Sequence, residues 1–425
     1  AVKEVRSRLL PQLDIGTGGA IIDDDRARAG AGSAPERSWT GQATLSQLLY
    51  SDSVWTAYAV EKHVQDSRVD VRNTIELDIA QAAAVAYLNV LRAESIEEIQ
   101  KNNLRLTRAN LERARVRVNV GIAGPDEVYR WESQIADNRQ IVLRSESDTF
   151  NAKNSLNRIL NRPLQEPFVA EEADLEAPPL GSTNELFHDL ITHPKDFLLF
   201  RDFLVMKGLE ISPELRRFDA EIAARERIMV SAKRAFWLPD VSLQGNVTEL
   251  FSEGGEGQRS DSPADINDTD WTVGVFATLP LFTSGQKTAT YSRTRHELDR
   301  IRIDREAARE RIEQRILSAV NLTRSSYPAI ELSRDAGKAA QENLTLVSDS
   351  YERGIKSIID LIDAQNQALV SDQRAANSVY DFLIDFMNVL RAVGSFDFLL
   401  SETGREEWLQ DFRVYAVAEA ETNRK

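Results

Sequence analysis

The sequence predicts a mainly α-helical fold with a β portion of membrane-spanning size, in which a strand hairpin and a long coiled-coil helical hairpin each occur twice. Duplication is the first sign. Trp39 to Tyr50 (WTGQATLSQLLY) and Trp271 to Phe282 (WTVGVFATLPLF) both open on Trp-Thr and close on Leu-aromatic. Each is followed by a long helical pattern, then by a Gly with an acid six positions on, Gly121 with Glu127 and Gly354 with Asp360. The offset is 232 residues at the Trp and 233 at the Gly, so whole architectural units repeat. A second sign is that no Pro or Gly occurs over the 69 residues between Ser51 and Gly121. The third is apolar–polar alternation after Pro239 and around Trp271, the period of a half-buried strand.

Composition narrows the class. The 425 residues are 42% hydrophobic and 28% charged with a mean hydropathy of −0.37, which fits an elongated helical chain better than several large cores. Uninterrupted apolar runs are only a few residues long, far short of the ~18 a spanning helix needs, so any membrane span must be made of strands. A net charge of −15 without clustered Lys and Arg excludes nucleic acid as a partner. With no Cys there is no disulfide framework and no thiolate chemistry. The opening AVKEVRSRLLPQL has neither a charged n-region nor an apolar h-region, so an export signal has been removed or the protein is cytosolic. Arg8-Leu9-Leu10-Pro11 corresponds to Phe236-Trp237-Leu238-Pro239, which follows a helical stretch from about Pro213, so the numbered chain is expected to start part-way into a helix.

In chain order, the first repeat is expected over 1–163, with strands at about 10–23 and 39–49 around a loop, and a helical hairpin at about 51–162. At 1.5 Å per residue its first helix runs on the order of 100 Å. Leu104, Thr107, Leu111, Ala114 and Val118 keep the 3-4 spacing of a coiled-coil seam. After the turn Gly121-Ile122-Ala123-Gly124-Pro125, Val128, Trp131, Ile135 and Val142 mark the returning face. Residues 164–212 read as a linker with Ala177-Pro178-Pro179-Leu180-Gly181 and an extra helix near Asn184 to Met206.

The second repeat, 213–394, has strands at about 239–250 and 271–282 joined by a Gly/Ser/Asp-rich loop. In the latter strand Trp271, Val273, Val275, Ala277, Leu279 and Leu281 oppose Thr272, Gly274 and Thr278. Its helical hairpin, about 286–394, carries Ala340, Leu344, Val347 and Tyr351 outward and Leu361, Ala364, Ala368 and Ala375 on the return, with Pro328 and Gly337 marking a kink or junction. Residues 395–425 form a charged tail without an evident role. Four strands cannot close a barrel, so the hairpins must pack on their own helices or close a barrel with other copies, because open edges are not tolerated in lipid.

Strand hairpin, long helix, Gly turn and returning helix, duplicated in order, resembles the TolC-type outer-membrane efflux family. The residues that carry the resemblance are Arg8-Leu9-Leu10-Pro11-Gln12-Leu13, Leu279-Pro280-Leu281-Phe282 with Ser284-Gly285, Tyr351 to Gly354, Ile359-Asp360-Leu361-Ile362-Asp363-Ala364-Gln365 and Leu390-Arg391-Ala392-Val393-Gly394. The resemblance implies a homotrimer in which each protomer gives four strands to one twelve-stranded β-barrel in outer-membrane lipid, with the helices continuing as a periplasmic tunnel. It implies no catalysis and no cofactor. It also implies a passive duct of a tripartite efflux or type I secretion system, opened by a periplasmic adaptor (membrane fusion) protein and served indirectly by an inner-membrane pump or ABC transporter. The residues alone also allow a soluble coiled-coil scaffold.

Candidate site residues follow from both readings. Asp360 and Asp363 are three apart at the start of a helix and share a face, which suits the helix dipole. By resemblance they match an acidic ring narrowing the tunnel entrance, whose crowded carboxylates should have raised pKa values. Lys356 is expected to link to Glu127 or Asp126 as a closed-state latch, with Tyr351 nearby. Gly121, Gly124, Pro125 and Gly354 form the tip turns for adaptor contact. Trp39, Tyr50, Trp271 and Phe282 lie at strand ends, where aromatics mark membrane interfaces or pack strand–helix junctions. Trp55, Trp131 and Trp237 read as helix-packing residues. Glu185-x-x-His188, with His193 near, has the spacing of a helical metal pair but no matching second motif, so no metal site is expected. No phosphate loop or nucleophile motif occurs.

Overall fold

The two repeats meet in a single sheet. The structure, a computed structural model, describes residues 2–30, 34–171, 193–258 and 267–422. Strands β1 (Gln12–Ile21), β2 (Arg37–Tyr50), β3 (Asp240–Gly254) and β4 (Thr269–Thr278) pair antiparallel in the order β1-β2-β3-β4. β2 of the first repeat bonds β3 of the second, and among the described residues β1 and β4 are the open edges.

Residues opposite one another across a ladder point to one face. The rows Ile15–Ala43–Val247–Trp271 and Leu13–Leu45–Gly245–Val273 make that face apolar. Asp14–Thr44–Asn246–Thr272 and Gly16–Gln42–Thr248–Asp270 make the other largely polar, with Leu48 and Phe276 as apolar exceptions. The apolar face is uncovered: Ile15 is 82% and Trp271 72% exposed. Register shifts at Trp39/Thr40 and Leu48/Tyr50 bend β2. At the first, the extra residue is Phe251, whose ring lies so close over Gly41 that a Cβ there would come within 2.4 Å of it. β4 stops at Thr278 instead of reaching Phe282, because Pro280 has no N–H for the ladder.

The described helices are α1 (Val2–Ser7), α2 (Asp24–Ala29), α3 (Asp52–Asn119), α4 (Pro125–Ile159), α5 (Pro194–Ile211), α6 (Pro213–Arg234), α7 (Gln286–Glu352), α8 (Ile358–Val393), α9 (Asp397–Leu400) and α10 (Glu402–Thr422). The short α2 interrupts the expected first loop, capped by Asp23, whose carboxylate accepts the Arg26 N–H at 3.2 Å. α7 runs as one helix through Pro328 and Gly337, so no junction divides it there. The hydroxyls of Ser325 and Ser326 bond the Leu322 carbonyl at 2.8 and 3.2 Å and add support to that turn. α3 contains an 18-residue window of mean hydropathy 1.2, which is not an uninterrupted apolar run. Polar bonds tie this region to α8: Asp78–Arg391, Gln81–Asn388 and Arg92–Asp381, each 2.6 Å.

Two compact units result, and they cut across the repeats: Ala1–Val71 with Glu214–Ala307, and Arg72–Pro213 with Ala308–Lys425. In the second unit, α5 starts at Pro194 and runs to Ile211. The proline-rich 177–181, Glu185 and His188 lie outside the described residues. The tail is helical and packed, since Phe200 and Phe203 of α5 meet Trp408 of α10 edge-on at 5.7 and 5.2 Å, and Phe203 meets Phe412 at 5.2 Å. Such aromatic pairs add about 0.5–1.5 kcal/mol each beyond burial.

In the first unit, the N-terminus of α3 is fixed by Asp52, whose side chain is 8% exposed and accepts from Arg234 at 2.9 Å and Arg227 at 3.2 Å. Burial raises the Asp52 pKa, but hydrogen bonds from Ser231, Arg234 and Arg227 outweigh it and hold the carboxyl below its usual 3.8. A depressed carboxyl stabilises the fold fully above its unfolded value and loses that stabilisation as pH falls through the folded value. Asp52→Asn is therefore expected to cost about 2 kcal/mol at pH 7. Denaturant titrations should show the gap to wild type closing below pH 3.8.

Candidate functional site

The turns that end the two coiled coils are built alike. In each a left-handed glycine, Gly121 (φ 74°) or Gly354 (φ 75°), closes the outgoing helix. Gly121 N–H donates to the Val118 carbonyl at 3.0 Å and Ile122 N–H to Arg117 at 2.9 Å; Gly354 N–H donates to Tyr351 at 2.9 Å and Ile355 N–H to Ser350 at 2.8 Å. The 233-residue offset thus holds bond for bond.

Three residues later the copies part. Gly124 caps α4 without a side chain and Pro125 opens the helix. Its counterpart Ser357 accepts the Asp360 N–H at 3.3 Å, while the Asp360 carboxylate accepts the Ser357 N–H at 2.9 Å, a reciprocal capping box. Asp360 is thereby engaged by its own helix. Glu127, the equivalent acid, has no such cap to serve and reaches across to the other hairpin.

There the Tyr351 hydroxyl donates to Glu127 Oε2 at 2.5 Å. Arg117 Nε lies 3.6 Å from the same oxygen, its Nη1 donates to the Tyr351 carbonyl at 2.7 Å, and its guanidinium sits 4.4 Å over the Tyr351 ring. The Arg117 and Glu127 side chains are 15% and 14% exposed, so solvent screens this pair poorly. Leu111, Ala114, Trp131, Ile358 and Leu361 pack with Tyr351 beneath it. Burial first, then the bond to Glu127, pushes the Tyr351 hydroxyl above the ordinary tyrosine value, so it remains a donor throughout the physiological range.

Other predicted residues fall as follows. Within the chain Lys356 pairs with Asp360 at 3.8 Å, not with Glu127 or Asp126, while Tyr351 and Arg117 engage Glu127. Asp126 and Asp363 are exposed, as are Gly121, Gly124, Pro125 and Gly354 at the turns. The upward shift expected of Asp360 is absent in the single chain; the Ser357 N–H, then its hydroxyl, then Lys356 hold the carboxyl below 3.8. Trp39 and Trp271 stand at the loop ends of β2 and β4, and Tyr50 closes β2 opposite Val241, all on the apolar face. Phe282 lies beyond β4 and is 87% exposed. Trp131 packs in the tip core as expected, whereas Trp55 and Trp237 are half-exposed.

Sequence reasoning missed Arg117 and a layer of buried amides further up the seam. Gln365 Nε2 donates to Asn103 Oδ1 and to Thr107 Oγ1, both at 2.7 Å, and its Oε1 accepts from Asn110 at 3.0 Å. Asn138 of α4 donates to Thr107 at 2.9 Å. All five side chains belong to residues 0–7% exposed. Asn103 and Asn110 flank Thr107 at helical spacing, the signal that the seam turns polar here.

A family model described as outer membrane efflux protein matches residues 1–162 and 204–395. The chain belongs to the outer membrane efflux protein family. It is similar to outer membrane protein TolC of Escherichia coli (strain K12), 22% identical over 395 residues spanning 93% of this chain and 76% of TolC. It is also similar to outer membrane efflux protein BepC of Brucella suis biovar 1, 21% identical over 353 residues, 82% and 71% of the two chains. Its fold is that of the outer membrane protein VceC from Vibrio cholerae, with a TM-score of 0.71 at 14% identity over 93% and 89% of the chains. As an outer-membrane efflux channel, it is not an enzyme.

The tip geometry fixes an order of effects. Tyr351→Phe keeps the packing and loses one hydrogen bond, so it should lower stability by about 1 kcal/mol. Arg117→Leu, which also strips the carboxylate partner and the ring contact, should cost about 2 kcal/mol or more. Urea denaturation should show both falls and none for Lys356→Leu; equal losses for all three would contradict this arrangement.

Proposed function

We propose that three copies of this chain close one twelve-stranded barrel in outer-membrane lipid and that their helices form a periplasmic exit duct for efflux or type I secretion. The observation that carries this reading is the open sheet with one exposed apolar face, one largely polar face and two unpaired edges. A soluble coiled-coil scaffold has no use for such a face. Copies joined edge to edge give the apolar face to lipid and the polar face to the lumen. From Trp39 to Tyr50 β2 runs eleven residues, about 36 Å along the strand, and a tilt of ~45° projects this to about 25 Å. That is the height of an apolar band, with Trp39 and Trp271 at one interface and Tyr50 and Phe282 at the other.

The helical tips serve as the gate in this reading. Tyr351 and Glu127 latch the two hairpins of one chain, while the exposed Lys356 and Asp126 pair with the neighbouring copy. Asp360 and Asp363 from three chains form an acidic ring that selects cations. The turns at Gly121, Gly124, Pro125 and Gly354 meet a periplasmic adaptor, itself coupled to an inner-membrane pump or ABC transporter, and its docking opens the passage.

Purified protein should run as heat-labile trimers and give cation-selective conductance in planar bilayers. A monodisperse, detergent-free monomer would overturn the reading. Asp360→Asn combined with Asp363→Asn should weaken divalent-cation block several-fold, and Lys356→Glu should raise resting conductance; unchanged channels in both would remove these residues from the gate.

A further inference from the structure

The acid-bearing turn of α8 has little that fixes its height along α3. Its buried apolar side chains there are Ile358, Leu361, Ala364 and Ala368, and non-directional packing of this kind lets one helix shift on another more readily than hydrogen bonds do. Directional bonds do not. Gln365 sits in the middle of this face, 4% exposed, and its amide is held at both ends by three side chains of α3. Moving α8 along α3 would strand buried donors and acceptors that no water replaces. The next described bond from α8 to α3 is Ser95 to Tyr380, fifteen residues farther from the tip, or about 22 Å along the helix. The entrance segment therefore depends on Gln365 for its register.

We infer that Gln365 is a positioning residue of the channel entrance: its buried bonds to Asn103, Thr107 and Asn110 set the height and rotation at which Asp360 and Asp363 are presented. This rests on the duct reading. It places a second control on the gate, deeper than the Tyr351–Glu127 latch and shielded from solvent. Buried amides are a device by which coiled coils exclude alternative registers at some cost in stability.

Single-channel recording separates positioning from stability. In Gln365→Leu trimers, resting conductance should rise at least about fivefold, the population shift that losing even one of its three buried hydrogen bonds produces, and cation preference should fall. A second variant, Asn103→Leu with Asn110→Leu and Gln365→Leu, removes the bonds between α3 and α8 in this layer and leaves Thr107 paired with Asn138. It should recover wild-type heat resistance of the trimer yet keep the raised conductance and lowered cation preference. Wild-type conductance and selectivity in either folded variant would overturn the inference. Absence of any conductance from the wild-type protein would instead overturn the duct reading on which it rests.

Discussion

An antiparallel sheet with two open edges and one uncovered apolar face is not stable alone in water, and the rest of the molecule is arranged around that constraint. Edge strands present rows of unpaired N–H and C=O groups, and lipid tolerates them only when a barrel closes. The chain brings one hairpin from each repeat to the same sheet, joined through β2 and β3, so duplication doubles the strands without covering the face. Gly41 under Phe251 and Gly19 under Trp39 let large aromatic rings lie flat on that face. Asp52, bound by Arg227 and Arg234, fixes the start of the first long helix directly after β2.

At the tip of each helical hairpin, the capping residue, Gly124 in one copy and Ser357 in the other, decides which acid does what. Backbone caps at Gly121 and Gly354 are the same, so Glu127 and Asp360 begin in equivalent positions. With Ser357 as the cap, Asp360 folds back on its own helix; with Gly124, nothing holds Glu127, and Tyr351 and Arg117 take it. The first arrangement is exposed and screened, the second sheltered. In the proposed gate the first offers ions a solvated charge and the second is a protected contact that resists opening by thermal motion alone.

Much of this was legible in the sequence because glycine and proline are unambiguous markers. The two turns, the long helices and the alternating strands follow from where these residues stand and where they do not. Boundaries erred where a backbone effect outweighed side-chain pattern: alternation in Leu279 and Leu281 suggested strand, but Pro280 had already ended β4. Partner choice was not legible. Lys356 looked like a mate for Glu127 or Asp126, yet within the chain Glu127 is met by Tyr351 and by Arg117 of its own hairpin. Nor did the pattern show that Thr107 lies in a buried amide layer, since its partner Gln365 is 258 residues away and only the fold brings them together. The tail looked merely charged because its aromatics Trp408, Phe412 and Tyr415 are spread among acids, and their packing on α5 appears only in three dimensions.

Whether β1 of one copy meets β4 of the next tests the central claim most directly. The chain has no cysteine, so paired cysteines introduced one in β1 and one in β4 report only on that contact. Oxidation of such variants in outer membranes should yield covalent dimers and trimers for register-matched pairs and none for mismatched ones. Monomers at every pairing, or cross-links formed within one chain, would contradict a barrel shared between copies.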